Sequence, residues 1–310
     1  MPRYKLTVAY DGTDFHGWQK QEPVAPDPTN PAAPKLPAAH ESLEHRPGRV
    51  ALRTVQHVLE QAVRETIREP IILTGASRTD SGVHAMGQVA AFTSTPDPDK
   101  GVGWPEERGC ASLVRALNAR LPEDLLVRAA EVVGDDFNPI GDCVSKGYSY
   151  TLHISPQRPL WDRRTVFHTW HELDLQRMRD AAKHLVGEHD FAALAAANHG
   201  RQTTIRTIFD CTVTDISSPD PAVEVAAPIT EGTFPARRLR IDVSGNGFLY
   251  NMVRILAGTL QEVGRGKIDP SQIPAILESK DRSRAGPTLP PEGLRLEWIR
   301  YDATSPGPRA

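Results

Sequence analysis

Cysteine is scarce in this chain. There are three in 310 residues, Cys110, Cys143 and Cys211, far apart and without a CxxC pair. That number and spacing support neither a disulfide framework nor a zinc site, and a reducing compartment is the expected setting. Long apolar runs are also missing. No stretch of about 18 apolar residues occurs, so no membrane-spanning helix is expected. The opening MPRYKLTVAYDG has no apolar h-region of the kind a secretory signal carries, and a cytoplasmic location follows as the expectation. Lysine is sparse, 8 of the 36 cations, the other 28 being arginine. Arginine suits bidentate contacts to phosphate and bases, although genome-wide composition produces the same bias. A large excess of either charge is absent too. With a formal net charge of −3, no global field attracts a polyanion, and any nucleic-acid binding has to come from a local patch.

What is present describes a globular protein. Hydrophobic residues make up 39% and charged residues 24% of the chain, with enough length to bury a core. Residues 4–10, YKLTVAY, alternate as a strand closed by Asp11 and Gly12. Residues 21–50 are rich in proline and alanine and show no periodic apolar face, which predicts a mobile surface insertion. From Thr54, Val55, Val58, Leu59, Ala62 and Ile67 recur at helical spacing. Strands at 70–75 and 83–92, a helix over 110–121 and a strand over 125–133 follow. The resulting βαββαβ order predicts an α+β sandwich of ferredoxin or RNA-recognition type.

The second half opens with KGYSYTLHI, an alternating aromatic strand. A helix is expected over 174–187, stopped by Gly187. Strands are expected at 203–216, 222–227 and 236–243, with a helix over 247–264, a short helix at 270–279 and a last strand at 294–301. The expected architecture is therefore two α+β halves with a joined, mixed but mainly antiparallel sheet and a central cleft. The first domain is placed at 1–138 and the second at 139–303, with a loose tail at 304–310.

Four features invite chemistry. Asp80 lies in GASRTDSGVHA, among residues too small to shield a charge, with Arg78 two positions away. A carboxylate next to a guanidinium stays ionised and can act as a nucleophile or steady a cationic sugar. A turn aspartate beside a surface arginine is the plainer alternative. His84, four residues on, reads better as a hydrogen-bonding support of the turn than as a general base. Tyr148 and Tyr150 share one strand face, as base-stacking platform or as packing. Arg254 is set in the otherwise uncharged GFLYNMVRILAGTL. Tyr250, Arg254 and Gly258 share a helical face, while Met252, Ile255, Leu256 and Leu260 are placed to fill the core. If buried, such an arginine needs a counter-charge, and Asp80 is the partner this sequence offers. Gly258 would admit another backbone closely.

The stretches GASRTDSGVHAMGQVAAF, YDGTDFHGWQKQ, TVQHVLEQA, GEHDF, GNGFLYNMVRILAGTLQEVGRGK and DRSRAGPTLPPEGLRL together resemble the TruA family of tRNA pseudouridine synthases. The resemblance runs in order along almost the whole chain, with 21–50 the main unmatched block. It implies an isomerase, a tRNA pseudouridine(38–40) synthase, that acts on uridines 38, 39 and 40 of the anticodon stem-loop. It further implies a homodimer without metal or organic cofactor, and the chain has no CxxC, HExxH or phosphate-binding glycine loop. By similarity Asp80 is the nucleophile and Arg254 its partner. Tyr148 stacks on the target base, Arg78 assists base flipping, and Leu294, or else Leu296, lines the pocket. Phe137, Arg201 and Arg206 are further candidate RNA contacts. One departure stands out. Where the family has F-H-A-R, this chain has FNPI at 137–140, so Asn138 and Ile140 replace a histidine and an arginine. Other readings are the same family acting at other tRNA positions, or a catalytically silent tRNA-binding protein. A pure binder has no use for a carboxylate aimed at polyanionic RNA.

Overall fold

The computed structural model describes residues 1–25, 46–196, 202–217 and 234–302. The chain divides into two compact units, Met1–Cys143 and Val144–Ala310.

The first unit runs β1 (Arg3–Tyr10), α1 (Val55–Ile67), β2 (Thr74–Gly75), β3 (His84–Thr93), α2 (Cys110–Asn118) and β4 (Leu125–Val133). Along β1 every second residue is buried, with Tyr4, Leu6, Val8 and Tyr10 facing inward, as alternation in a half-covered strand requires. The strand order is β4-β1-β3-β2, antiparallel throughout, which is the split βαββαβ arrangement expected. The strand expected at 70–75 shrinks to two residues. Its earlier backbone groups go to side chains of α1 instead of a ladder: the Leu73 amide donates to Glu60 (3.1 Å), the Leu73 carbonyl accepts from Gln56 (2.7 Å), and the Ile71 carbonyl accepts from Arg64 (2.8 Å). Helix α2 ends at Asn118, short of 121, and the Asn118 side-chain amide holds both backbone groups of Val127 in β4 (2.8 and 2.9 Å).

The insertion differs from expectation at its ends. Val24 bridges Arg49, the Ala25 amide donates to the Gly48 carbonyl, and the Val50 amide donates to Pro23. Residues 21–25 and 46–50 are thus zipped together, while 26–45 lie outside the described residues.

The second unit runs β5 (Ser145–Ile154), β6 (Phe167–Thr169), α3 (Leu175–Lys183), β7 (Gly187–Asp190), β8 (Ile205–Asp215), β9 (Arg237–Gly245), α4 (Met252–Gly264), α5 (Ile273–Ser279) and β10 (Leu294–Arg300). Its order is β10-β5-β9-β8-β7, antiparallel, with β6 alone running parallel to β5. Set aside β6 and β7, and the path repeats that of the first unit. These two strands have three and four residues, too few to show a period in the sequence. Helix α3 ends at Lys183 and not at Gly187, which has φ 115° and opens β7. The strand expected at 222–227 and the tail at 304–310 fall outside the described residues. Both units are α+β with mainly antiparallel sheets, as the sequence indicated. Among the described residues no helix is long and apolar enough to cross a membrane.

Candidate active site

Asp80 stands on a turn braced from several sides. The neighbouring Thr79 is buried, and its hydroxyl pairs with the Tyr10 hydroxyl at 2.8 Å while its carbonyl accepts from the Trp18 amide at 3.0 Å. Gln88, fully buried, takes both backbone groups of Ser77. The Gly82 amide and the Ser81 hydroxyl both donate to the Phe15 carbonyl. Gly17, at φ 82°, lies so close that a Cβ there would sit 2.8 Å from the Thr79 carbonyl oxygen, which only glycine tolerates. The YDGTDFHGW stretch is therefore the bed on which the acidic turn rests. Arg78 points outward and is exposed, whereas Asp80 is half-buried. His84 is a support, as read from the sequence. Its Nδ1 accepts from the Gly12 amide at 3.0 Å, with Asp11 Oδ1 3.1 Å away.

Arg254 is gripped by two groups near it in the second unit. Nε donates to the Leu289 carbonyl at 2.6 Å and Nη1 to Asn251 Oδ1 at 3.0 Å, while the Leu289 amide donates back to the Arg254 carbonyl at 3.3 Å. Asn251 is the residue the sequence reading missed. It precedes α4 at φ 59°, a left-handed conformation unusual for a residue with a side chain. Its side-chain oxygen serves the guanidinium instead of capping the helix. The helix expected over 247–264 put Asn251 in its interior, so nothing local revealed this use. The helix expected from Gly247 begins only at Met252. Residues before it form a loop tied to β8, with the Asn246 amide on the Thr207 carbonyl and the Thr207 amide on Asn246 Oδ1. Tyr250 therefore lies off the helical face assigned to it and is half exposed. Met252, Ile255, Leu256 and Leu260 are fully buried. Gly258 meets the strap after α5 so closely that a Cβ would stand 1.9 Å from the Pro287 carbonyl oxygen.

Tyr148 and Tyr150 lie on the same face of β5. Tyr150 is core: its hydroxyl donates to the Pro290 carbonyl at 2.8 Å, and burial pushes its pKa well up. Tyr148 packs edge-on against Phe248, ring centres 5.2 Å apart. Strand pairing sets Leu296 opposite Tyr148 and Leu294 opposite Tyr150. Arg206 comes to the same neighbourhood, its side-chain stem 3.7 Å from the Cβ position of Gly247, with its guanidinium on the Thr203 carbonyl at 3.1 Å. Arg201 lies outside the described residues. In the first unit Phe137 accepts from Arg3 at its carbonyl (2.8 Å) and carries Lys5 over its ring (5.6 Å). Asn138 closes its own turn by accepting from the Ile140 and Gly141 amides, both at 3.0 Å, and Ile140 is exposed.

A cavity of about 980 Å³ opens on the second unit, lined among others by Thr212, Thr214, Arg240, Asp242 and Glu297. By strand alternation these residues project from the sheet face opposite the Tyr148 ring. Burial raises the Asp242 carboxyl above its ordinary pKa against the opposing pull of Arg240. Among the described residues, no group of three or more His, Cys, Asp or Glu side chains is placed to hold a metal ion.

Residues 6–140 and 181–302 match the family model described as tRNA pseudouridine synthase. The chain belongs to the tRNA pseudouridine synthase family. It is 35% identical over 301 residues to tRNA pseudouridine synthase A of Acetivibrio thermocellus, covering 97% of this chain and 100% of the relative. The corresponding protein of Bacillus subtilis is 36% identical over 304 residues (97% and 99% covered), and that of Geotalea uraniireducens 37% over 305 residues (97% and 100%). Within this tRNA pseudouridine synthase family match lie Arg78, Asp80, Arg206, Arg254, Leu294 and Leu296. Tyr148 falls between the two matched stretches.

Proposed function

We propose that this chain isomerises uridine to pseudouridine in tRNA, at positions 38, 39 and 40 of the anticodon stem-loop, with Asp80 as nucleophile. The N1–C1′ bond breaks as an Asp80 oxygen bonds to C1′. Uracil then turns, its C5 displaces the carboxylate from the same carbon, and the C5 proton is lost while N1 gains one. Positive charge grows on the ribose as the base leaves, and a carboxylate is suited to meet it. Arg254 is the counter-charge that keeps Asp80 ionised and aimed. Tyr148 stacks on the base and relays the C5 proton, passing its own hydroxyl proton on to solvent or N1 as it takes that one up. Arg78 assists flipping of the nucleotide, and Leu294 or Leu296 lines the pocket. Phe137, Arg201 and Arg206 contact the RNA. The observation that carries this reading is the acidic turn itself, a half-buried carboxylate on a backbone fixed by Tyr10, Phe15, Trp18 and Gln88.

The enzyme works in the cytoplasm as a homodimer. Supporting self-association, the open sheet face of the second unit mixes exposed Phe209 and Ile216 with both signs of charge, Arg240 and Arg300 against Asp242 and Glu297. Such a surface can complement a second copy of itself about a twofold axis. A second reading, other tRNA positions, is favoured by the FNPI turn, where Asn138 is spent on its own loop.

Asp80→Asn is the test. Pseudouridine formation is expected to vanish while tRNA affinity remains, and an active variant would refute the mechanism. Mapping pseudouridine in tRNA from cells lacking the protein separates the readings, with loss at 38–40 supporting the first and loss elsewhere the second.

A further inference from the structure

We infer that residues 155–170, joining β5 through β6, form a second tRNA contact, which receives an unpaired base on Trp161 and the adjoining phosphates on arginine. The inference rests on tRNA being the substrate, and it concerns a stretch lying between the two segments matched to the family. The span SPQRPLWDRRTVFHTW leaves three large apolar side chains in solvent: Trp161 is 88%, Trp170 66% and Leu160 63% exposed. Leu160 and Trp161 adjoin, and an exposed apolar patch rimmed by polar groups marks an interaction site. Around it Arg158, Arg163 and Arg164 are exposed. The single acid of the span, Asp162, forms an ion pair with Arg238 of β9. The local charge is therefore positive in a chain whose total is −3.

The segment is built to hold its shape. At its base the Ser155 amide donates to the Thr169 carbonyl (3.1 Å), and the His168 ring nitrogen Nε2 lies 2.8 Å from the Ser155 carbonyl. The same ring packs edge-on against Trp170 at 4.7 Å. At its tip the Thr165 amide donates to the Asp162 carbonyl and Arg163 to the Leu160 carbonyl, both at 2.9 Å. An exposed indole on a fixed loop is a stacking platform, and guanidinium groups on either side bind phosphate. The alternative occupant, a second copy, is disfavoured because a twofold contact here would set arginine against arginine. Ile154 lies six residues beyond Tyr148 along β5, about 20 Å of strand, so one tRNA can reach both the target pocket and this loop.

The test uses the full-length protein with intact, unmodified tRNA and with a short anticodon stem-loop. Trp161→Ala is expected to weaken intact tRNA binding roughly tenfold. The double variant Arg158→Ser, Arg163→Ser is expected to flatten the dependence of log affinity on log salt by about 1.5. The single-turnover rate at saturating tRNA should not change in either. Unaltered affinity in the first variant together with an unaltered salt slope in the second overturns the inference. Intact tRNA affinity with altered self-association also overturns it and assigns the loop to a contact between copies. The stem-loop locates the contact: a loss with intact tRNA alone places it in the tRNA body, and a loss with both places it in the stem-loop, either of which supports the inference. The outcome is independent of catalysis, since Asp80→Asn probes the reaction and these variants probe binding.

Discussion

The two units follow one path and spend it differently. In each, the first and third strands lie centrally, a helix follows the first strand, and a second helix precedes the last. In the first unit that second helix, α2, buries Leu113 and Leu117. Its counterpart α4 buries eleven residues, from Met252 to Gly264. The chemistry is divided accordingly. In the proposed reaction the first unit supplies a negative charge from a half-buried turn whose backbone is braced. The second supplies, in that same proposal, a positive charge from a nearly buried helix, where the side chain itself is held. Leu289 and Asn251 do so for Arg254, whereas Thr79 and Gln88 brace the backbone beside Asp80. A shared topology thus fixes where a residue can stand, and packing around it decides how it is secured.

Substitutions can break or sharpen this contrast. The largest stability effect is expected at Gly258, where a methyl would press on the Pro287 carbonyl oxygen at 1.9 Å. Backbone cannot yield as a flexible side chain does, so Gly258→Ala should cost about 3 kcal/mol in denaturant unfolding, and an unchanged midpoint would contradict the tight strap. Next comes Asn251. A lost hydrogen bond to a charged group is worth about 2 kcal/mol, so Asn251→Ala and Asn251→Gly should each lower kcat roughly thirtyfold. Glycine accepts φ 59° without strain and alanine does not, so only the alanine variant should also lose stability. Wild-type kcat in both would show that Arg254 is positioned without Asn251.

In the first unit, Thr79→Val removes the 2.8 Å bond to Tyr10 and should lower stability by about 1 kcal/mol, read by chemical denaturation. The smallest effect concerns pH. Burial, then Arg238 and His168, lowers the His153 pKa from 6.5 to about 4. The unfolded chain therefore takes up this proton first, and stability present above pH 6.5 is lost as pH falls towards 4. Partial exposure keeps the term small. His153→Gln should flatten the acid limb of the stability curve in that window, and an unaltered limb would locate the acid sensitivity elsewhere.

Much of this was encoded locally. Alternation in β1 and the helical spacing of Met252, Ile255, Leu256 and Leu260 name the core-facing side chains, because each period is set by neighbours in the chain. The small residues around Asp80 marked the acidic turn in the same way, and the run of ordered motifs marked the family. Other features depended on residues far apart in sequence. The backbone of Ile71 and Leu73 is satisfied by side chains of α1 instead of by a strand. Arg206 reaches Gly247 because β8 pairs with β9. Asn251 shares the Arg254 guanidinium with the carbonyl of Leu289, 35 residues beyond that arginine. Periodicity is local and can be read along the chain, whereas the partner that finally satisfies a polar group is chosen by whichever distant element packs beside it.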